Sequence, residues 1–209
     1  MLHLRYKLIF LLTVLLFSIT ANCQLFAGGG FGAFNIPTAA VRGSGPTFSL
    51  NYSGANKRQV VFLDVSYLSA SAPDGDIQLY NGGGQSLGLF PVTDKYSYAD
   101  AELSGNALFG SLDKKKLVPY AGGGIALILA TTRFSYKSDT YQINDDVHHR
   151  RLYCFCFNTG LLYKIKPIIL ELKGTLGLAT KPLVDGYTYG EASNVLMALR
   201  LSIMIPLIR

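Results

Sequence analysis

The sequence predicts an all-β protein: an eight-stranded antiparallel up-and-down transmembrane β-barrel behind a cleaved N-terminal signal peptide. Three observations predict it. Hydrophobic residues make up 49% of the chain and charged residues only 15%, yet after residue 24 no apolar run approaches the ~20 residues that a membrane-spanning helix needs. Apolar and polar side chains instead alternate with period two in eight separate segments. The connections between those segments alternate between long and short, as hairpin-linked strands crossing one membrane require.

The first element is the leader. Arg5 and Lys7 precede a charge-free run from Leu8 to Phe17 that is too short to span a bilayer, and Ala21-Asn22-Cys23 supplies a small-x-small cleavage site. The expected division is therefore 1–23 signal peptide and 24–209 barrel domain, with no biased linker that would split the remainder. Cys23 is not expected to carry lipid, because Thr20 and Asn22 stand where such sites want a large aliphatic and a small residue. Loss of Arg5 and Lys7 lowers the net charge from +6 to +4, and an exported chain of that charge gives no reason to expect nucleic acid as a partner. Cys154 and Cys156 remain, two apart on one strand face and beyond comfortable disulfide reach, and read as small buried hydrophobes.

The eight strands are expected near Leu25–Ile36, Thr47–Ser53, Gln59–Ser69, Tyr96–Gly110, Leu117–Tyr136, Arg151–Tyr163, Pro167–Leu178 and Asn194–Leu207. Segments 54–58, 111–116 and 164–166 are short and mostly basic, suited to anionic head groups on the periplasmic side. Segments 37–46, 70–95, 137–150 and 179–193 are long, hold most of the acids outside the strands, and are expected to face the exterior.

Alternation also assigns the faces. Val61, Leu63, Val65 and Tyr67 are expected toward lipid, as are Leu103, Leu172, Leu199 and Leu201. The inward set is Asp64, Asp100, Glu102 and Glu171 against Lys173, Arg200 and Arg133. An eight-stranded barrel has room inside only for side chains, so these seven are expected to form a structural network of ion pairs in a plugged lumen. Aromatic residues near strand ends, including Tyr67, Tyr120, Phe134, Tyr153 and Tyr163, are expected to form interfacial girdles.

Two segments carry a family resemblance. Leu117-Val118-Pro119-Tyr120-Ala121-Gly122-Gly123-Gly124 resembles the P-Y-x-G-x-G strand start of small outer-membrane barrels of the OmpW, OmpX and opacity-protein type, and Phe26-Ala27-Gly28-Gly29-Gly30-Phe31-Gly32 is similar to their first strand. The resemblance implies an outer-membrane location and insertion by the barrel-assembly machinery. It departs at the end, where such barrels close on an aromatic residue and this chain reads Ile205-Pro206-Leu207-Ile208-Arg209; Pro206 removes a ladder donor there.

Nothing in the sequence spells out catalysis, and no cofactor or metal is expected. Adjacent His148 and His149 point to opposite sides of an extended chain, without a third spaced ligand. Ser135, Asp139 and either histidine name the residue types of a lipid esterase but lack its local pattern. Asn81-Gly82-Gly83-Gly84 has no following Lys-Ser/Thr helix and reads as a turn, not a phosphate cradle. The expected protein is thus a non-enzymatic outer-membrane barrel, embedded in outer-membrane lipids, whose loop 70–95, with Ile77, Leu79, Tyr80, Leu87, Leu89 and Phe90, meets an external or envelope partner. The alternatives are a carrier or channel for small apolar molecules, a lipid-A-modifying enzyme, and an accessory of a secretion or conjugation apparatus.

Overall fold

The computed structural model describes residues 24–37, 41–53, 58–71, 75–138, 143–184 and 194–208. The expected leader 1–23 lies outside them, as do Lys57, Asp74, Asp139, Asp185 and Glu191 of the loops. The strands are β1 (Gln24–Ile36), β2 (Val41–Ser53), β3 (Gln59–Ser71), β4 (Gly75–Tyr80), β5 (Ser86–Leu108), β6 (Leu117–Tyr136), β7 (Asp146–Ile165), β8 (Ile168–Ala179) and β9 (Val195–Ile208). All neighbours are antiparallel, in the order β3-β2-β1-β9-β8-β7-β6-β5-β4, and a β3–β5 pairing closes the ring. Eight strands form the barrel, and among the described residues β4 pairs only with the outer part of β5.

The registers fix the dimensions. The paired residues Leu170, Ile203, Gly29, Phe48, Val65, Ala101, Leu127 and Tyr153 lead around the wall. The circuit ends at Thr180, just past β8, whose N–H donates to Tyr153 O at 2.8 Å, ten residues along the chain from Leu170. A shear of ten on eight strands tilts them about 40° and gives a backbone radius of ~8 Å, which side chains fill.

The outward face of β7 shows Tyr153, Phe155, Phe157, Leu161 and Tyr163 to the surroundings. At ~3.3 Å per residue and a ~40° tilt, Tyr153 to Tyr163 spans about 25 Å, the height of a membrane β-barrel's apolar band. Val61, Leu63, Val65 and Tyr67 on β3 and Met197, Leu199, Leu201, Ile203 and Ile205 on β9 continue that band. An exterior of this kind is stable only in lipid. Tyr120 and Phe134 depart from the girdle expected for them: both lie on the even-numbered, inward face of β6 and are buried.

Two segments expected as loops are strand. The first long connection is shorter than expected, because Ile36 already pairs with Val41 and β2 runs through Gly43, Gly45 and Pro46. Those residues read as breakers. Here Pro46 falls where the β2–β3 pairing is interrupted between Ser44↔Ser69 and Thr47↔Ser66, and the strand continues through it because the register is the same on both sides of the gap. A Cβ on Gly45 would strike the Tyr67 carbonyl oxygen, which is why that close approach takes glycine.

The second is 70–95, expected as one loop. β3 continues to Ser71 and β5 starts at Ser86, with Phe90, Val92, Asp94 and Tyr96 buried on one face in unbroken alternation. Tyr96 OH donates to Asp94 Oδ2 at 3.2 Å, which accommodates an acid on the buried face of the strand. Asn81-Gly82-Gly83-Gly84 makes the β4–β5 turn: Gly84 N–H donates to Asn81 O at 2.9 Å, Gly83 N–H to Asn81 Oδ1 at 3.0 Å, and Gly84 takes φ +78°. The chain's end is also strand. β9 runs through Pro206 to Ile208 because β8–β9 pairing stops at Ile169↔Met204, before the proline, and a bulge against Leu25/Phe26 absorbs the register change.

Candidate functional site

The interior is layered. Toward the short turns lies an apolar layer of Phe26, Val60, Phe62, Val118, Tyr120, Leu162, Ile169 and Met204. Leu112, from the turn between β5 and β6, enters this layer from below and is buried, while Lys164 Nζ donates to its carbonyl at 3.0 Å. At the other end Phe34, Ile36, Val41, Leu68, Tyr98, Ile128 and Leu152 form a second apolar layer. Leu183 and Val184, just past β8, fold into it with 1% exposure each, and Tyr98 OH donates to Leu183 O at 3.2 Å.

Between the layers sit six of the seven residues singled out in the sequence. Lys173 Nζ lies 2.5 Å from Asp64 Oδ2 and 2.8 Å from Glu102 Oε1. Arg200 Nη2 donates to Asp100 Oδ2 at 2.7 Å, and its Nη1 lies 3.5 Å from both Asp64 and Glu102. Glu171 accepts from Tyr120 OH at 2.7 Å. Four strands supply the six: β3 gives Asp64, β5 gives Asp100 and Glu102, β8 gives Glu171 and Lys173, and β9 gives Arg200. All six are at most 7% exposed, so every charge is withdrawn from water and depends on its partners.

Arg133 is the correction. It projects from the outer face of β6, 56% exposed and 4.0 Å from Asp145. Buried Ala126, Ile128, Ala130, Thr132 and Phe134 assign the even-numbered residues of that strand to the interior, and period two sends residue 133 the other way. Without it the network holds four carboxyl groups and two bases, not the near-balance expected. Neutral donors make up part of the difference, namely Tyr120 and also Asn158, whose Nδ2 donates to Glu102 Oε1 at 2.6 Å while its Oδ1 accepts from Thr175 at 2.8 Å. Sequence reading missed both, Tyr120 because its place near a strand end suits a girdle residue and Asn158 because a single amide among apolar neighbours carries no pattern.

The residue types that suggested other chemistry do not converge. His148 Nε2 lies 2.9 Å from Asp146 Oδ2 on one face of β7, while His149 Nδ1 meets Thr131 Oγ1 at 3.1 Å on the other. Ser135 is four residues along β6 from Thr131, the partner of His149. Among the described residues no three His, Cys, Asp or Glu side chains are grouped so as to hold a metal ion. Cys154 and Cys156 are buried free thiols.

No protein-family profile matches the sequence, and no curated protein matches it. Solved structures do resemble it. A major outer membrane protein from Thermus thermophilus superposes with a TM-score of 0.64 at 11% identity, covering 89% of this chain and 100% of that one. Ail, the attachment invasion locus protein of Yersinia pestis, in complex with the heparin analogue sucrose octasulfate, gives 0.50 at 10% identity over 88% and 97% of the two chains. OprG from Pseudomonas aeruginosa, also an outer membrane protein, gives 0.50 at 8% identity over 91% and 98%. At such identities the likeness is one of fold: this chain has the fold of small outer-membrane β-barrels.

Proposed function

We propose that this chain is an exported, non-enzymatic protein of a Gram-negative outer membrane, with residues 1–23 as its signal peptide. In this reading the barrel-assembly machinery inserts it, the polar network is a structural plug that makes the barrel a rigid anchor, and the sheet above the membrane meets an external or envelope partner. The observation that carries the reading is the unequal length of the strands. β5, β6 and β7 have 23, 20 and 20 residues, whereas β1, β2, β3 and β8 have 12 or 13. One wall therefore rises past the apolar band, and the β4–β5 hairpin carries it further, since β5 pairs with β6 only from Val92 inward and with β4 beyond that point.

Among the described residues the outer edge of β4 has no strand partner, and Tyr80 and Leu89 are 59% and 67% exposed on this hairpin, features that suit protein contact. A carrier or channel is less well supported, because Leu112 closes one end of the lumen and Leu183 and Val184 the other. An esterase is less well supported because its candidate serine and histidines lie apart. The test uses Gly83→Cys, at the β4–β5 turn, where the only other described thiols are buried. A membrane-impermeant maleimide is expected to label the variant on intact cells; labelling only after lysis would reverse the orientation and refute the proposal.

A further inference from the structure

The outer face of the barrel changes character abruptly where the projecting sheet leaves the apolar band. On β7 the outward residues run Tyr163, Leu161, Thr159, Phe157, Phe155 and Tyr153, and the next two are Arg151 and His149. Arg151 lies opposite Leu129, and His149 opposite Thr131. One strand over, Lys95 and Arg133 are directly opposed in the β5–β6 ladder. All four basic residues are exposed. Arg42 near the top of β2 and Lys181 just past β8 bring exposed basic side chains to the same rim.

Opposed like charges destabilise a sheet unless something offsets them. Asp145, 4.0 Å from Arg133, is the sole acid paired with this face among the described residues; the other acids at this height, Asp94 and Asp146, belong to the inward face, Asp94 buried and Asp146 bonded to His148. Nearby Arg150 turns inward too and donates to Pro182 O at 3.3 Å. The collar thus combines an apolar wall below, wide enough for acyl chains, with an excess of guanidinium and ammonium groups immediately above. That is the arrangement an amphiphile with anionic groups at its head requires, and Arg and Lys are the residues that bind phosphate.

We infer that Lys95, Arg133 and Arg151 bind the phosphate groups of a phosphorylated glycolipid in the outer leaflet, its acyl chains lying on Leu129, Leu127 and Tyr153. The inference rests on the outer-membrane reading and deepens it by naming the lipid. It is separate from the interior network, which no lipid touches.

The test uses the full mature chain, folded in neutral detergent and checked by heat-modifiable gel mobility, with retained lipid counted by native mass spectrometry. The probes are bis-phosphoryl lipid A, the same lipid stripped of both phosphates, and inorganic pyrophosphate. Bis-phosphoryl lipid A is expected to be retained in preference to its dephosphorylated form. At ~1 kcal/mol for each basic residue at an anionic membrane surface, the Lys95→Ala/Arg133→Ala/Arg151→Ala variant should bind it about a hundredfold more weakly. A Gln78→Ala/Gln85→Ala variant, altered at neutral exposed positions of the β4–β5 hairpin, should bind as the parent does, and rising salt should weaken the parent. Equal retention of the two lipids, or a collar variant that binds like the parent, would overturn the inference while leaving the membrane barrel intact. Pyrophosphate binding as tightly as the lipid would also overturn it, by showing a site for free anions. A protein that stays in water without detergent would overturn the barrel reading and this inference together.

Discussion

Replacing Lys173 with methionine keeps the length and volume of the buried stem but removes the ammonium that joins Asp64 at 2.5 Å to Glu102 at 2.8 Å. Both carboxylates are 1% exposed, so neither recovers solvation from water. Among the described residues Arg200 is then the one base still paired with them, at 3.5 Å from each and already committed to Asp100. Breaking a buried pair by deleting one partner costs about 3–5 kcal/mol, and loss of the ammonium 5.4 Å from the Phe62 ring centroid adds up to about 1 kcal/mol. With a urea slope of about 2 kcal/mol per molar, the midpoint should fall by roughly 2 M. The assay is a urea series in lipid vesicles read as the fraction of heat-modifiable, faster-migrating band. Adding Asp64→Asn to Lys173→Met should recover part of the loss, since the leftover carboxylate is then neutral. A midpoint within about 0.3 M of the parent would refute the claim that Lys173 is withdrawn from water and holds the interior together.

Glu171→Gln should cost less than about 1.5 kcal/mol, because an amide oxygen still accepts from Tyr120 OH, whereas Glu171→Ala orphans that hydroxyl and should cost more; the same urea series separates them. Gly45→Val should prevent closure, since its side chain would meet the Tyr67 carbonyl, and the heat-modifiable band should be absent after refolding. His148→Ala, on the projecting sheet, should shift stability by no more than about 0.5 kcal/mol. In planar bilayers the parent should give no stepwise conductance, as expected of a lumen closed by Leu112, Leu183 and Val184.

Fold class, the number of barrel strands and the lipid-facing sets were legible because period two is written in residue types, as in Val61-Phe62-Leu63-Asp64-Val65, whereas β4, inside the segment expected as a loop, was not. Six of the seven residues assigned to the interior network were legible on the same ground. Arg133 was not, because the strand that carries it is apolar on both faces, and only the buried Ala126, Ile128 and Ala130 reveal which parity points inward. The reach of β2 and β5 was hidden by Pro46, Pro91 and Asp94, which disrupt a strand in general but here fall at a gap in the ladder, against the edge strand β4, or beside a tyrosine donor. The closures by Leu112 and Leu183 were illegible because a loop leucine carries no periodic signal; only packing shows that it has turned into the core.

The most direct measurement is the behaviour of the protein on fractionation and unheated electrophoresis. A closed barrel with oil-facing walls should stay in the carbonate-washed outer-membrane fraction, need detergent for release, and migrate faster unheated than boiled. Recovery as a soluble protein without detergent, or a single mobility before and after heating, would contradict it.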